Sequence, residues 1–117
     1  MKLLFIDDNK GITDLFTTYF KSHGHECYAA NDGNNGLSLL ENEHFDLTVL
    51  DIAMPEFCGF DVLQKMYEEK KKQNIIVLTA VILTDQEITL LKQYNVKQIL
   101  KKPVSLKLLL HEIQNIC

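Results

Sequence analysis

The sequence has no run of apolar residues approaching the ~20 that a membrane-spanning helix requires. Its apolar start, Leu3-Leu4-Phe5-Ile6, is closed at once by Asp7-Asp8 and is too short for the core of a signal peptide. There is no low-complexity segment and no linker-like stretch. The three cysteines, Cys27, Cys58 and Cys117, are odd in number, and no two stand at metal-ligand spacing. That argues against a disulfide framework and a cysteine-rich zinc site, and leaves free thiols in a reducing compartment. An excess of positive charge is also missing. The net charge is −4, so bulk electrostatics give this chain no grip on nucleic acid, although a DNA-binding domain could stand beside it in a longer product. These absences describe a soluble, cytoplasmic domain without a membrane partner. What is present is a 46% hydrophobic chain of 117 residues, enough for one compact domain over residues 1–117 with a core of its own.

Short apolar runs alternate with longer amphipathic stretches. Leu3 to Ile6 predicts a buried strand, and Ile12, Leu15, Phe16 and Tyr19 then recur at helical spacing. Gly24 is placed to stop that helix in the left-handed conformation. Glu26 to Ala30 is a weaker second strand. Asp32-Gly33 reads as a turn before a short helix carrying Leu37, Leu39 and Leu40. Leu47 to Leu50 is a third strand, closed by Asp51. Phe60, Leu63, Met66 and Tyr67 predict a third helix, which runs out in the charged stretch Glu68 to Lys72, read as a solvated helix end rather than a binding patch. Ile75 to Leu78 is a fourth strand ending at Thr79. Thr84 with Glu87 forms a capping box for a fourth helix, which Asn95 ends. Val96 to Leu100 is a fifth strand. Pro103 and Ser105 precede a last helix with Leu106, Leu109, Leu110 and Ile113 on one face and Leu108 off it. Five strand–helix units in strict alternation predict an α/β fold, a five-stranded parallel sheet with helices on both faces.

In such a sheet, ligands bind beyond the carboxyl ends of the strands. Asp7 and Asp8 follow strand one, Asp51 follows strand three, Thr79 ends strand four, and Lys102 lies just past strand five. Three carboxylates brought together either share protons or hold a cation. Oxygen-only donors favour a hard ion such as Mg²⁺, and no histidine or cysteine lies at a predicted strand end to favour zinc. A carboxylate beside such an ion can accept a phosphoryl group as an aspartyl phosphate, with the metal and a lysine neutralising the transferring oxygens. Replacing Asp51 by alanine is expected to remove a like-charge repulsion and to raise stability in the absence of Mg²⁺.

Asp7-Asp8, then Asp51-Ile52-Ala53-Met54-Pro55 with Gly59, then Thr79-Ala80, then Lys102-Pro103, in this order on this alternation, resemble the receiver domain of two-component response regulators. Asp32-Gly33 with Leu37 and Leu40 is similar to the opening of the family's second helix. The resemblance covers essentially the whole chain. It implies the flavodoxin-like receiver fold with strand order 2-1-3-4-5. It also implies that Asp51 is the phosphoacceptor, charged by a sensor histidine kinase or a small phosphodonor. Asp8 would bind Mg²⁺ (or Mn²⁺) directly, Asp7 through water, and the backbone carbonyl of Ala53 would complete the metal set with Asp51. Lys102 would pair with the phosphoryl group, Thr79 would move toward it, and the Lys102-Pro103 bond would be cis. The output surface would be the fourth helix, fifth strand and fifth helix, facing a downstream protein, a covalently linked output domain, or a second copy in a homodimer. The implied function is a phosphorylation-activated signalling switch rather than a turnover enzyme. The sequence ends at Cys117 directly after the fifth helix, which fits a stand-alone receiver or part of a longer regulator.

The chain departs from the family pattern at three places. Ile99 stands where receivers usually carry an aromatic residue, and isoleucine is too stiff at χ1 to imitate a swinging ring. Either a neighbouring group replaces the ring or the coupling is weaker. The segment Ala80-Val81-Ile82-Leu83 is aliphatic where the family is usually polar. It forms a docking surface or tucks under the fourth helix. Ala53 and Val81, which the resemblance puts beside the phosphoryl group, cannot orient an attacking water, so slow self-dephosphorylation is expected. Other readings fit less well. A haloacid-dehalogenase-like phosphatase needs an acid two residues after its nucleophile, where this chain has Ala53 or Asn9. A flavin- or nucleotide-binding module needs a glycine- or hydroxyl-rich loop after strand one. A pseudo-receiver that binds partners with little or no phosphorylation is the main alternative, favoured by Ile99 and opposed by the intact acid set.

Overall fold

The computed structural model describes residues 1–116; Cys117, one of the three thiols considered above, lies outside the described residues. The chain runs β1 (Lys2–Ile6), α1 (Lys10–Ser22), β2 (Glu26–Ala30), α2 (Gly33–Asn42), β3 (Leu47–Leu50), α3 (Gly59–Glu68), β4 (Ile75–Thr79), α4 (Asp85–Gln93), β5 (Val96–Lys101) and α5 (Leu106–Ile116). All pairings are parallel and the sheet order is β2-β1-β3-β4-β5, as the resemblance implied.

The apolar runs Leu3 to Ile6 and Ile75 to Leu78, and Leu47 to Leu50 with its buried Thr48, follow from burial on both faces. Alternate residues feed two separate cores. Leu4, Ile6, Leu50, Ile75 and Val77 pack against Leu40 of α2, Val62, Leu63 and Met66 of α3, and Leu91 of α4. Leu3, Phe5, Leu47, Val49, Ile76 and Leu78 pack on the other face against Phe16 and Phe20 of α1 and Leu109 and Ile113 of α5. Each of these side chains, fully removed from water, contributes about 1.5–3 kcal/mol of transfer free energy.

Two helical faces are rotated from the expected ones. On α1 the buried residues are Thr13, Phe16 and Phe20, while Leu15 is exposed. The reason is aromatic: Phe16 and Phe20 both pack on Phe5, with ring centroids 5.4 Å apart in each pair, and this sets the helix's rotation. On α3, Val62 takes the inward place and Tyr67 turns out to lie against Tyr94 at 5.5 Å. The Asp32-Gly33 turn is instead the helix start, with the Asp32 carboxylate accepting from the Asn35 amide at 2.7 Å. Gly33 is required there, because a Cβ would lie 2.0 Å from the Phe57 carbonyl oxygen. The expected stops are observed: Gly24 and Asn95 have φ of 88° and 65°. The Thr84–Glu87 capping box also forms, with reciprocal bonds of 2.9 and 3.1 Å. Among the described residues, no helix is long and apolar enough to cross a membrane.

Candidate functional site

Register brings the strand-end polar residues together. Ile6 pairs with Leu50, Leu50 with Val77, and Thr79 with Lys101, so Asp7, Asp51, Thr79 and Lys102 emerge at one end of adjacent strands. Asp7, Asp51 and Thr79 are buried, at 4%, 5% and 3% exposure, and Asp8 is exposed at the rim. Asp7, Asp8 and Asp51 each offer an oxygen, all within 4.8 Å of one another. Lys102 Nζ reaches across this group, 2.7 Å from Asp7 Oδ2 and 3.4 Å from Asp51 Oδ2. The lysine therefore sits closer to Asp7 than to the candidate phosphoacceptor.

Burial pushes the Asp51 carboxyl pKa up. The Ala53 amide, donating to Asp51 Oδ1 at 3.1 Å, pulls it down, the Asp7 charge raises it, and Lys102 lowers it again; the net direction is upward. Burial acts to lower the Lys102 pKa, but the hydrogen bond to Asp7 and the charges of Asp51 and Asp7 outweigh it, and the ammonium is held more firmly than usual. One cation thus faces two buried carboxylates and a third at the rim. An oxygen-only donor set with uncompensated negative charge fits a hard divalent cation.

Two supporting residues, Asn9 and Asn31, were not anticipated, and Gly59, quoted in the motif, gains a physical role. The Asn9 amide donates to Asp7 Oδ1 at 2.9 Å, while its side chain accepts from the Ile12 amide to cap α1. Asn31 Nδ2 donates to the Asp7 carbonyl at 2.8 Å and to the buried Thr13 hydroxyl at 2.9 Å. Gly59 permits the β3–α3 loop to fold back: a Cβ there would lie 2.6 Å from the Asp51 carbonyl oxygen and 2.8 Å from Ile52 Cα. An asparagine directly after the paired acids was a readable capping signal; nothing in the sequence pattern marked Asn31.

The Thr79 hydroxyl accepts from the Val81 amide at 3.2 Å. Val81 and Ile82 are exposed, at 43% and 88%, whereas Leu83 packs against the α3/α4 core. Leu83 therefore tucks in as one reading expected, and Val81 and Ile82 stay exposed. Ile99 is half-buried against the same core. The Lys102-Pro103 peptide is cis.

Residues 3–114 match the family model described as the response regulator receiver domain. The chain belongs to the response regulator receiver family. This receiver is similar to the response regulator SaeR of Staphylococcus aureus (strain USA300), 35% identical over 114 residues, which are 97% of this chain and 49% of that protein. The chain spans about half the length of the curated relatives it matches. Among solved structures, the receiver domain of a Francisella response regulator superposes with a TM-score of 0.88 at 29% identity, covering 98% of this chain and 94% of that one. The response regulator TrrA of Thermotoga maritima, solved in complex with Mg²⁺-BeF, superposes with a TM-score of 0.82 at 25% identity, covering 99% and 98%.

Proposed function

We propose that this receiver is a phosphorylation-activated switch of a two-component phosphorelay, with Asp51 as the phosphoacceptor. The observation that carries the reading is the Asp7–Asp8–Asp51 oxygen cluster bridged by Lys102 Nζ. Asp7, Asp8, Asp51 and the backbone carbonyl of Ala53 would hold Mg²⁺ or Mn²⁺. When bound, the ion neutralises charge on the oxygens of the transferring group. An Asp51 carboxylate oxygen forms the new bond to phosphorus. The phosphorus–nitrogen bond to the kinase histidine breaks, and the leaving imidazole recovers its electron pair and takes up a proton. Lys102 turns from the carboxylates to the incoming phosphoryl oxygens. The Thr79 hydroxyl, which now only accepts from the Val81 amide, donates to a phosphoryl oxygen and draws the exposed Val81–Ile82 loop with it.

The partners are a sensor histidine kinase and a downstream output protein or covalently linked output domain. The length of the relatives supports the linked form. Output runs through α4, β5 and α5, where the exposed Leu108 supports a homodimer. The domain, residues 1–117, works in the cytoplasm, makes no nucleic-acid contact itself, and turns over no substrate beyond slow loss of its own phosphoryl group.

The test is exposure to acetyl phosphate or beryllofluoride with Mg²⁺, read by intact mass and by amide NMR, on wild type and Asp51→Asn. The expected result is a Mg²⁺-dependent adduct in wild type, with shifts at Thr79 to Leu83, and neither in Asp51→Asn. No Mg²⁺-dependent change in wild type would favour the pseudo-receiver reading instead.

A further inference from the structure

A well-formed cavity lies away from the acidic site. It has a volume of about 770 Å³ and opens at the opposite end of the sheet, between the α3–β4 loop, the end of α4 and the start of β5. Its floor is apolar, from Phe45, Leu63, Met66 and Ile75. Its rim carries Lys70, Lys71, Lys72 and Lys97 with His44, against a single carboxylate, Asp46. Asp46 is already engaged, accepting from the Lys2 amide at 2.6 Å. Lys71 donates to the Glu41 carbonyl at 2.7 Å. Lys70, Lys72 and Lys97 form no ion pair among the described residues. In a chain of net charge −4 with twelve basic residues, the lining itself has four lysines to one carboxylate, with Glu41 and Glu69 lying beside Lys71 alone of the four.

The backbone sets this rim. Ile75 pairs with Val96 and Ile76 with Gln98, so Lys97 is the unpaired residue of a register shift. Such a bulge re-aims the side chain it carries. Lys70 lies in the left-handed region at φ 56°, a position that glycine or asparagine occupies at less cost. Two aromatic rings share the lining with the lysines: Tyr94 is half-buried, and Tyr67, 58% exposed, lies tilted against it with centroids 5.5 Å apart. Gln73 is also in the lining, and its buried Oε1 has no hydrogen-bond partner within the protein.

We propose that this cavity binds a small phosphorylated ligand with a flat ring, of the nucleotide class, its phosphates on Lys70, Lys72 and Lys97 and its ring on Tyr67. Lysine ammonium groups recognise phosphate as point charges. An exposed tyrosine face is a stacking platform that accepts any base. The volume lies within the ~300–1,000 Å³ of small-ligand sites, the size of one such molecule. The Glu68 to Lys72 stretch is a solvated helix end, as its exposure shows, and Lys70 and Lys72 at that end would also face the ligand. The proposal is independent of phosphorylation at Asp51.

The test is amide NMR titration of the ¹⁵N-labelled chain with ADP, pyrophosphate and adenosine, each in EDTA so that no cation links phosphate to Asp7, Asp8 and Asp51. ADP is expected to shift amides in segments 67–74 and 94–97 and to bind more tightly than either fragment. The triple variant Lys70→Gln, Lys72→Gln, Lys97→Gln should weaken ADP by at least ~10-fold, the scale of lost charge-assisted contacts. Its spectrum elsewhere should be unchanged, because these side chains are exposed. Tyr67→Ser should weaken ADP and leave pyrophosphate unaffected, and Asp51→Asn should bind ADP as wild type does. Pyrophosphate or adenosine binding as tightly as ADP would overturn the proposal. So would shifts spread over unrelated lysines such as Lys10 and Lys21, or a single-stranded oligonucleotide occupying the cavity far more tightly than ADP.

Discussion

Replacing Asp51 by asparagine should make the metal-free protein more stable. Asp51 is 5% exposed, and burial, reinforced by the charge of Asp7, raises its pKa against the pull of the Ala53 amide and Lys102. Its ionised form at neutral pH therefore costs folding free energy. Asparagine conserves the volume and keeps an oxygen for the Ala53 amide, which now donates at 3.1 Å. It removes one charge, so that Lys102, 2.7 Å from Asp7, faces one buried carboxylate instead of two. Relief of a partly compensated buried charge is worth about 1–2 kcal/mol. An unfolding entropy near ~2.1 cal/mol/K per residue gives ~0.25 kcal/mol/K for a chain of this length. The melting temperature in EDTA should then rise by roughly 4–8 °C. Asp51→Ala should gain less than the charge argument alone suggests, because it also strips the Ala53 amide of its acceptor, at a cost of about 1 kcal/mol. Mg²⁺ should reverse the order: a ligand at 100 times its dissociation constant stabilises the native state by about 2.7 kcal/mol, and Asp51→Asn lacks one charged donor. Scanning calorimetry in EDTA and in Mg²⁺ reads both arms. A melting temperature for Asp51→Asn at or below wild type in EDTA would show that Lys102 already neutralises both carboxylates, and the repulsion argument would be wrong. An equal Mg²⁺ increment in both proteins would remove Asp51 from the metal set.

Lys102→Met should cost about 2–3 kcal/mol in EDTA, because it leaves Asp7 and Asp51 facing each other without a cation; calorimetric titration should then find Mg²⁺ bound more tightly than in wild type, and an unchanged affinity would contradict this. Gly59→Ala should lower stability by about 2–3 kcal/mol in urea unfolding, since its methyl meets main-chain atoms of Asp51 and Ile52 that cannot yield; it should also reduce phosphoryl uptake, and an unshifted midpoint refutes the steric reading. The phosphorylated protein should decay slowly, and Val81→Glu, adding a group able to orient water at an exposed position, should speed the decay by ~10-fold or more. Rapid decay of wild type would sink the expectation of slow decay.

Most of the fold was legible because burial on both faces writes itself plainly into sequence. Leu3 to Ile6 and Ile75 to Leu78 are uninterrupted, Leu47 to Leu50 is broken only by the buried Thr48, all three are too short for helices, and each is closed by a polar residue. Even the left-handed stops at Gly24 and Asn95 follow from local chemistry. What was not legible was helix rotation. Leu15 and Phe16 are neighbours, and periodicity alone admits both to the apolar face. Only the packing of Phe16 and Phe20 on the Phe5 ring decides which of the two goes inside. The same holds for Tyr67, which leaves the core because Val62 and Met66 already fill it and Tyr94 waits on the outside.

The two ends of the sheet were unequally readable for one reason. At the carboxyl end, each residue of the acidic pocket directly follows a strand, so strand assignment and parallel order suffice to bring Asp7, Asp51, Thr79 and Lys102 together. What that rule does not give is distance: that Lys102 lies nearer to Asp7 than to Asp51 depends on side-chain reach. At the opposite end, the lysine-rimmed cavity draws on the loop after α2, the end of α3, the loop before β4, the end of α4 and the start of β5. No periodicity links those segments, and the register shift that frees Lys97 leaves no mark in the order of residues. Lys70-Lys71-Lys72 read from sequence is a solvated run, as such runs usually are. It becomes the rim of a cavity only because α3 stops at Glu68 and the Tyr67 ring meets Tyr94 across the gap.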